Sequence, residues 1–149
     1  MARRSVYGMA LVAVGVAAIA VLWWRDRDEA ALAQGRALYD AHCAACHGIN
    51  LEGQPNWQER RADGKLPAPP HDVTGHTWHH PDDILFAITK HGLAPFVPPG
   101  YVSDMLGFAG VLSDAEIRAV LAYIKSRWPE DIRRRQAALP NQERSSQTR

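Results

Sequence analysis

Cysteine is nearly absent from this chain: there are two in 149 residues, Cys43 and Cys46, so every role a thiol can play is confined to one place. Methionine is almost as scarce, with only Met1, Met9 and Met105. Neither sign of charge is in excess, since 17 Lys and Arg stand against 16 Asp and Glu. Between Gln34 and Trp128 the count is eight basic against ten acidic residues. That balance provides no concentrated basic face and argues against a nucleic-acid partner. No internal repeat is present, and no strand-like run precedes Cys43. Only one long apolar run occurs, at the N-terminus, and the total length leaves room for one small domain, an anchor and a tail.

The two cysteines stand in Cys43-Ala44-Ala45-Cys46-His47. Read as C-x-x-C-H, this is the attachment signal for c-type haem. The spacing lets one helical turn present both thiols to the vinyl groups along one porphyrin edge, and the adjacent imidazole can bind the iron from below. Two other readings fit less well. A thioredoxin-like dithiol follows a strand, which is lacking here. A zinc finger places its histidines about 12–15 residues beyond the second cysteine, whereas His76 and His79 lie roughly twice that far away.

The flanking segments read as helices. Residues 33–42 carry Ala37, Leu38 and Ala41 at helical spacing. Gly35 among them costs about 1 kcal/mol against alanine unless another helix approaches closely there. Ser113-Asp114-Ala115-Glu116 is a capping box that opens a helix running to Arg127, with Ile117, Val120, Leu121 and Ile124 on one stripe. A shorter helix is expected with His80 as its cap and Pro81 at its first position, Asp82 and Asp83 complementing its dipole, Ile84, Leu85 and Ile88 facing inward, and Gly92 closing it. From Leu51 to Pro70 the mix of Gly, Pro and charge reads as an ordered Ω-type loop.

With these pieces in place, residues 34–128 resemble a class I monohaem cytochrome c of the small bacterial type. The resemblance rests on Gly35, Tyr39, Cys43-Ala-Ala-Cys46-His47-Gly48, the Pro69-Pro70 pair, Met105, and a final helix with Tyr123 and Trp128. It implies an all-α domain of three to five helices around one covalent haem c. It further implies that a proline carbonyl, from Pro69 or Pro70, accepts the Nδ1–H of His47 and fixes its ring. Met105 becomes the expected sixth iron ligand, 58 residues after His47 and just before the final helix. Its setting, Ser103-Asp104-Met105-Leu106-Gly107-Phe108, has leucine where the family loop has proline. A thioether ligand favours ferrous iron, and two filled axial positions leave no room for a substrate.

Histidine is the rival ligand. His71, His76, His79, His80 and His91 are all unassigned, so a bis-histidine haem or a second metal such as copper stands as an alternative to Met105. Trp57, Arg60, Arg61 and Trp78 are donors suited to haem propionates.

The apolar run Val6–Trp24 has 19 residues, enough at about 1.5 Å each to cross a hydrocarbon core of about 30 Å. Arg3 and Arg4 precede it and Trp23-Trp24 close it. The reading is a cytoplasmic N-terminus at 1–5, a single transmembrane anchor at 6–24, a linker at 25–33 and the haem domain at 34–128. A polar, flexible tail is expected at 129–149. By the positive-inside rule the domain faces the periplasm from the inner membrane. Ala31-Leu32-Ala33 offers a competing signal-peptide cleavage site. The expected function is a tethered carrier of single electrons between redox proteins, without a small-molecule substrate. The alternatives are a haem-bearing subunit of a larger oxidase or dehydrogenase, and peroxidase or nitrite chemistry at an open iron.

Overall fold

The computed structural model describes the backbone of residues 2–141 and the side chains from residue 15 to 141. Five α-helices and two 3₁₀ turns form among these residues, without strands; the sole β-type pairing is an isolated bridge between Ala109 and Leu112. The all-helical expectation holds. The chain divides into two units, Met1–Ala31 and Leu32–Arg149.

Helix α1, Ala2–His42, supplies the first unit and opens the second. The expected anchor falls on it, and nine of the anchor's side chains, 6–14, lie outside those described. Among the described residues no helix is long and apolar enough to cross a membrane. This overturns the expected single-pass placement in the inner membrane with the haem domain in the periplasm. The described stretch from Gly15 to Trp24 is uncharged and is followed by Arg25-Asp26-Arg27-Asp28-Glu29.

In the second unit the last part of α1 crosses α4, Asp114–Ser126. Gly35 sits at the crossing, where an added Cβ would lie 2.7 Å from the carbonyl carbon of Ala119 and 3.1 Å from Cβ of Tyr123. The close approach expected there is the one observed. The full capping box holds the start of α4: Ser113 Oγ accepts from Glu116 N–H, and the Glu116 carboxylate accepts from Ser113 N–H at 2.8 Å. Its stripe, Ile117, Val120 and Ile124, is buried. With Tyr39, Leu51 and Trp128, Val120 and Ile124 form the core cluster, and Cys43 and Ala44 pack against it.

Helix α3, Asp82–His91, begins one residue later than expected, because Pro81 is extended and takes the N-cap position in place of His80; it ends at Gly92 with φ +78°. Where a polar tail was expected, the chain turns at Pro129 into a further helix, α5, Glu130–Ala137. Two acidic residues in its first turn complement the helix dipole. Gln136 is buried, its amide donating to His80 O at 3.2 Å and Asp82 Oδ1 at 2.7 Å, and Ile132 packs on the core. Buried hydrogen bonds and apolar contact thus dock a segment that composition alone marks as solvated.

Candidate functional site

The site begins with one helical turn, α2, Ala44–His47, whose N-cap is Cys43. The Cys43 carbonyl accepts from Cys46 N–H at 3.1 Å and His47 N–H at 2.9 Å, so both thiols fall on one face, three residues apart. Both are free; Cys43 is half-buried and Cys46 exposed. Burial, and then the charge of Cys46, push the Cys43 thiol up to about 11. Gly48 ends the turn at φ +81°, and the buried Tyr39 ties it down by donating Oη–H to Gly48 O at 2.8 Å.

His47 is buried, and its Nδ1 lies 2.9 Å from the carbonyl oxygen of Pro69. A carbonyl only accepts, so Nδ1 carries the proton and Nε2 is left with its lone pair. Burial lowers the His47 pKa, with the Pro69 bond acting in the opposite sense. The ring is therefore held as a neutral ligand, the form a metal requires. Of the two candidate prolines, Pro69 makes the contact. The Pro70 carbonyl instead closes on Gly75, where an added Cβ would meet its carbon at 2.7 Å.

The Ω-loop expected before the prolines is present. Gln54 N–H donates to Ala68 O at 2.9 Å and Gln54 Oε1 accepts from Ala68 N–H at 3.1 Å, closing the neck immediately ahead of Pro69. Lys65, on the same loop, forms an ion pair with Asp104, the neighbour of Met105. Met105 is half-buried, and its N–H donates to Ser103 Oγ at 3.1 Å. The far side of this segment is fastened to α3: Phe108 N–H donates to Thr89 O at 3.0 Å, and Ala109 N–H to Lys90 O at 2.9 Å. Gly107 allows that approach, since a Cβ there would sit 2.5 Å from the His91 carbonyl carbon. Met105 is thus carried on a segment fixed at both ends, with Leu106 projecting outward at 76% exposure.

The structure separates the histidines that the sequence left together. The His71 ring lies flat on His47, with centroids 3.9 Å apart and planes at 22°. His71 thus covers the face of the His47 ring and does not lie opposite its Nε2, so it does not fit as the second ligand of an iron that His47 would hold. His76 stacks on Trp57, His79 leans on Trp78, and His80 meets His76 edge-on. Among the described residues no group of three or more His, Cys, Asp or Glu is placed to hold a metal ion. Of the donors suggested for propionates, Arg60 donates to Gly64 O, Arg61 to Gln54 Oε1, and the Trp78 indole to Val73 O at 3.4 Å. The sequence reading missed the special position of His71. The available signal was its place two residues beyond Pro69.

Two adjacent free thiols on one turn, followed by a buried neutral imidazole with Nε2 unprotonated, form the donor set for covalent haem. The match to known proteins agrees: the Cytochrome c family profile covers residues 32–128. The chain belongs to the cytochrome c family. It is 32% identical over 100 residues to the cbb3-type cytochrome c oxidase subunit CcoP of Azospirillum brasilense, an alignment covering 67% of this chain and 30% of that protein. No solved structure matches the chain. As a cytochrome c, the protein binds haem c covalently through its C-x-x-C-H motif and is an electron-transfer protein.

Proposed function

We propose that this cytochrome c carries single electrons with His47 and Met105 as its axial ligands, passing them within or to a respiratory oxidase. Haem c, bound through Cys43 and Cys46, would supply a one-electron ferric–ferrous couple. The carrying observation is the His47 geometry: Nδ1–H bound to Pro69 O at 2.9 Å fixes the tautomer and aims Nε2. The Ω-loop next to Pro69 is tied through Lys65–Asp104 to the Met105 segment. That tie supports a pair of ligands held at fixed separation, as a carrier that must reorganise little between oxidation states requires. Similarity to CcoP supports an oxidase as the partner, in which the chain is either a haem-bearing subunit or the protein that delivers electrons to it.

The test is spectroscopic. The ferric protein should be low-spin with the weak red charge-transfer band of iron–thioether ligation, and should bind cyanide or carbon monoxide slowly. Met105→Ala should abolish the band, admit both ligands quickly and lower the reduction potential, because the soft ligand that favours ferrous iron is lost. A wild type that is already high-spin, binds carbon monoxide rapidly and consumes peroxide would refute the carrier reading. Sizing under native conditions after affinity capture separates a subunit, which elutes with an oxidase, from a free carrier.

A further inference from the structure

The His71–His47 stack has a purpose that filling space does not explain. We propose that His71 is a positioning residue for His47, setting the rotation of its imidazole above the Pro69 hydrogen bond; the proposal rests on the reading of His47 as an iron ligand.

A single hydrogen bond from Nδ1 to Pro69 O fixes where one edge of the His47 ring points but leaves the ring free to rock about that edge. A flat surface against the ring face removes that freedom, and His71 provides one at 3.9 Å. His71 is itself held on every side. Its ring Nδ1 pairs with Thr77 Oγ1 at 2.8 Å, and Thr77 is buried at the start of the 3₁₀ turn Thr77–His79. Its N–H donates to Leu51 O at 2.8 Å, and its carbonyl accepts from the Trp128 indole at 2.7 Å. Tyr39 meets the ring edge-on at 6.3 Å.

Leu51, which accepts from both His71 N–H and Asp72 N–H, has φ +72°, an unfavourable conformation for a branched side chain. Strain of this kind persists where surrounding structure over-determines it, and it gathers at functional sites. The residue type is also specific. An aliphatic side chain would fill the volume without a flat face, and phenylalanine would be flat without an anchor for Thr77. Only a planar ring with a nitrogen at its edge does both.

The experiment uses the full haem-loaded chain and reads the haem methyl resonances of the ferric protein, whose order and spread report the in-plane orientation of the axial imidazole. His71→Ala should change that pattern while the absorption spectrum remains low-spin, and His71→Phe, which keeps a flat face but loses the Thr77 anchor, should change it less than alanine does and to the same extent as Thr77→Val. Thr77→Val, which frees the ring but keeps its atoms, should shift the pattern in the direction of His71→Ala. It decides the matter alone if the alanine variant fails to load haem. An unchanged pattern in either His71→Ala or Thr77→Val overturns the proposal, as does a phenylalanine variant that resembles alanine. A low-spin spectrum that survives His47→Ala unchanged would instead remove the ligand reading beneath it.

Discussion

At the scale of single residues, Gly35 shows how a local cost becomes a tertiary requirement. Replacing it with alanine gains about 1 kcal/mol of helix propensity. The new Cβ, however, meets Ala119 backbone, 2.7 Å from its carbonyl carbon, and backbone cannot rotate aside. Overpacking of this kind costs about 1–3 kcal/mol, so the clash prevails. Gly35→Ala should lower the urea midpoint of the haem-loaded protein; an equal or higher midpoint would show that α1 and α4 do not cross here. The choice of Pro69 over Pro70 is likewise made by single atoms: the Pro70 carbonyl is occupied against Gly75.

At the scale of elements, α5 is the unexpected feature, and its clasp has a defined pH dependence. Burial raises the Asp82 pKa, but hydrogen bonds from Lys125 and Gln136 outweigh it and hold the carboxyl below its ordinary value. A carboxylate whose pKa is depressed by folding stabilises the fold above its unfolded value, about 4. That contribution disappears as pH falls through the lower folded value. The urea midpoint of wild type should therefore exceed that of Asp82→Asn at pH 7, and the gap should shrink as pH falls below the unfolded value and close once the carboxyl is protonated in the folded state. A gap that persists in acid would assign the effect to something other than the charge. Gln136→Ala removes the donor shared by His80 O and Asp82 and should cost about 1–3 kcal/mol at neutral pH, measured by the same midpoint.

At the scale of the whole molecule, the described core is small: Tyr39, Leu51, Val120, Ile124 and Trp128 form its central cluster. A domain of about 100 residues has limited apolar surface to bury, so a large covalent cofactor is a substantial part of its interior. The variant Cys43→Ala with Cys46→Ala, which lacks both thioether anchors, should show reduced far-UV helicity and a lower, broader thermal transition. In the wild type, haem should stay with the denatured chain after acid–organic extraction. Haem that washes out intact would contradict the covalent attachment.

Much of this was legible in the linear chain because it depends on short-range geometry. Two thiols three residues apart and an adjoining imidazole define a haem-attachment turn wherever they are placed. The Ser113–Glu116 cap, the α4 stripe and the termination of α3 at Gly92 likewise follow from helical periodicity and backbone sterics. At the N-terminus the expected membrane span was not upheld, since no helix among the described residues is long and apolar enough to cross a membrane. The tertiary structure decided what depends on distant partners. It chose Pro69 for His47, docked α5 through Gln136, and joined Lys65 to Asp104 across 39 residues. It also drew His71 out of a run of similar histidines and laid it on His47. Residue type sets which bonds are possible, but only the folded path determines which carbonyl or ring lies within 3–4 Å of a given group.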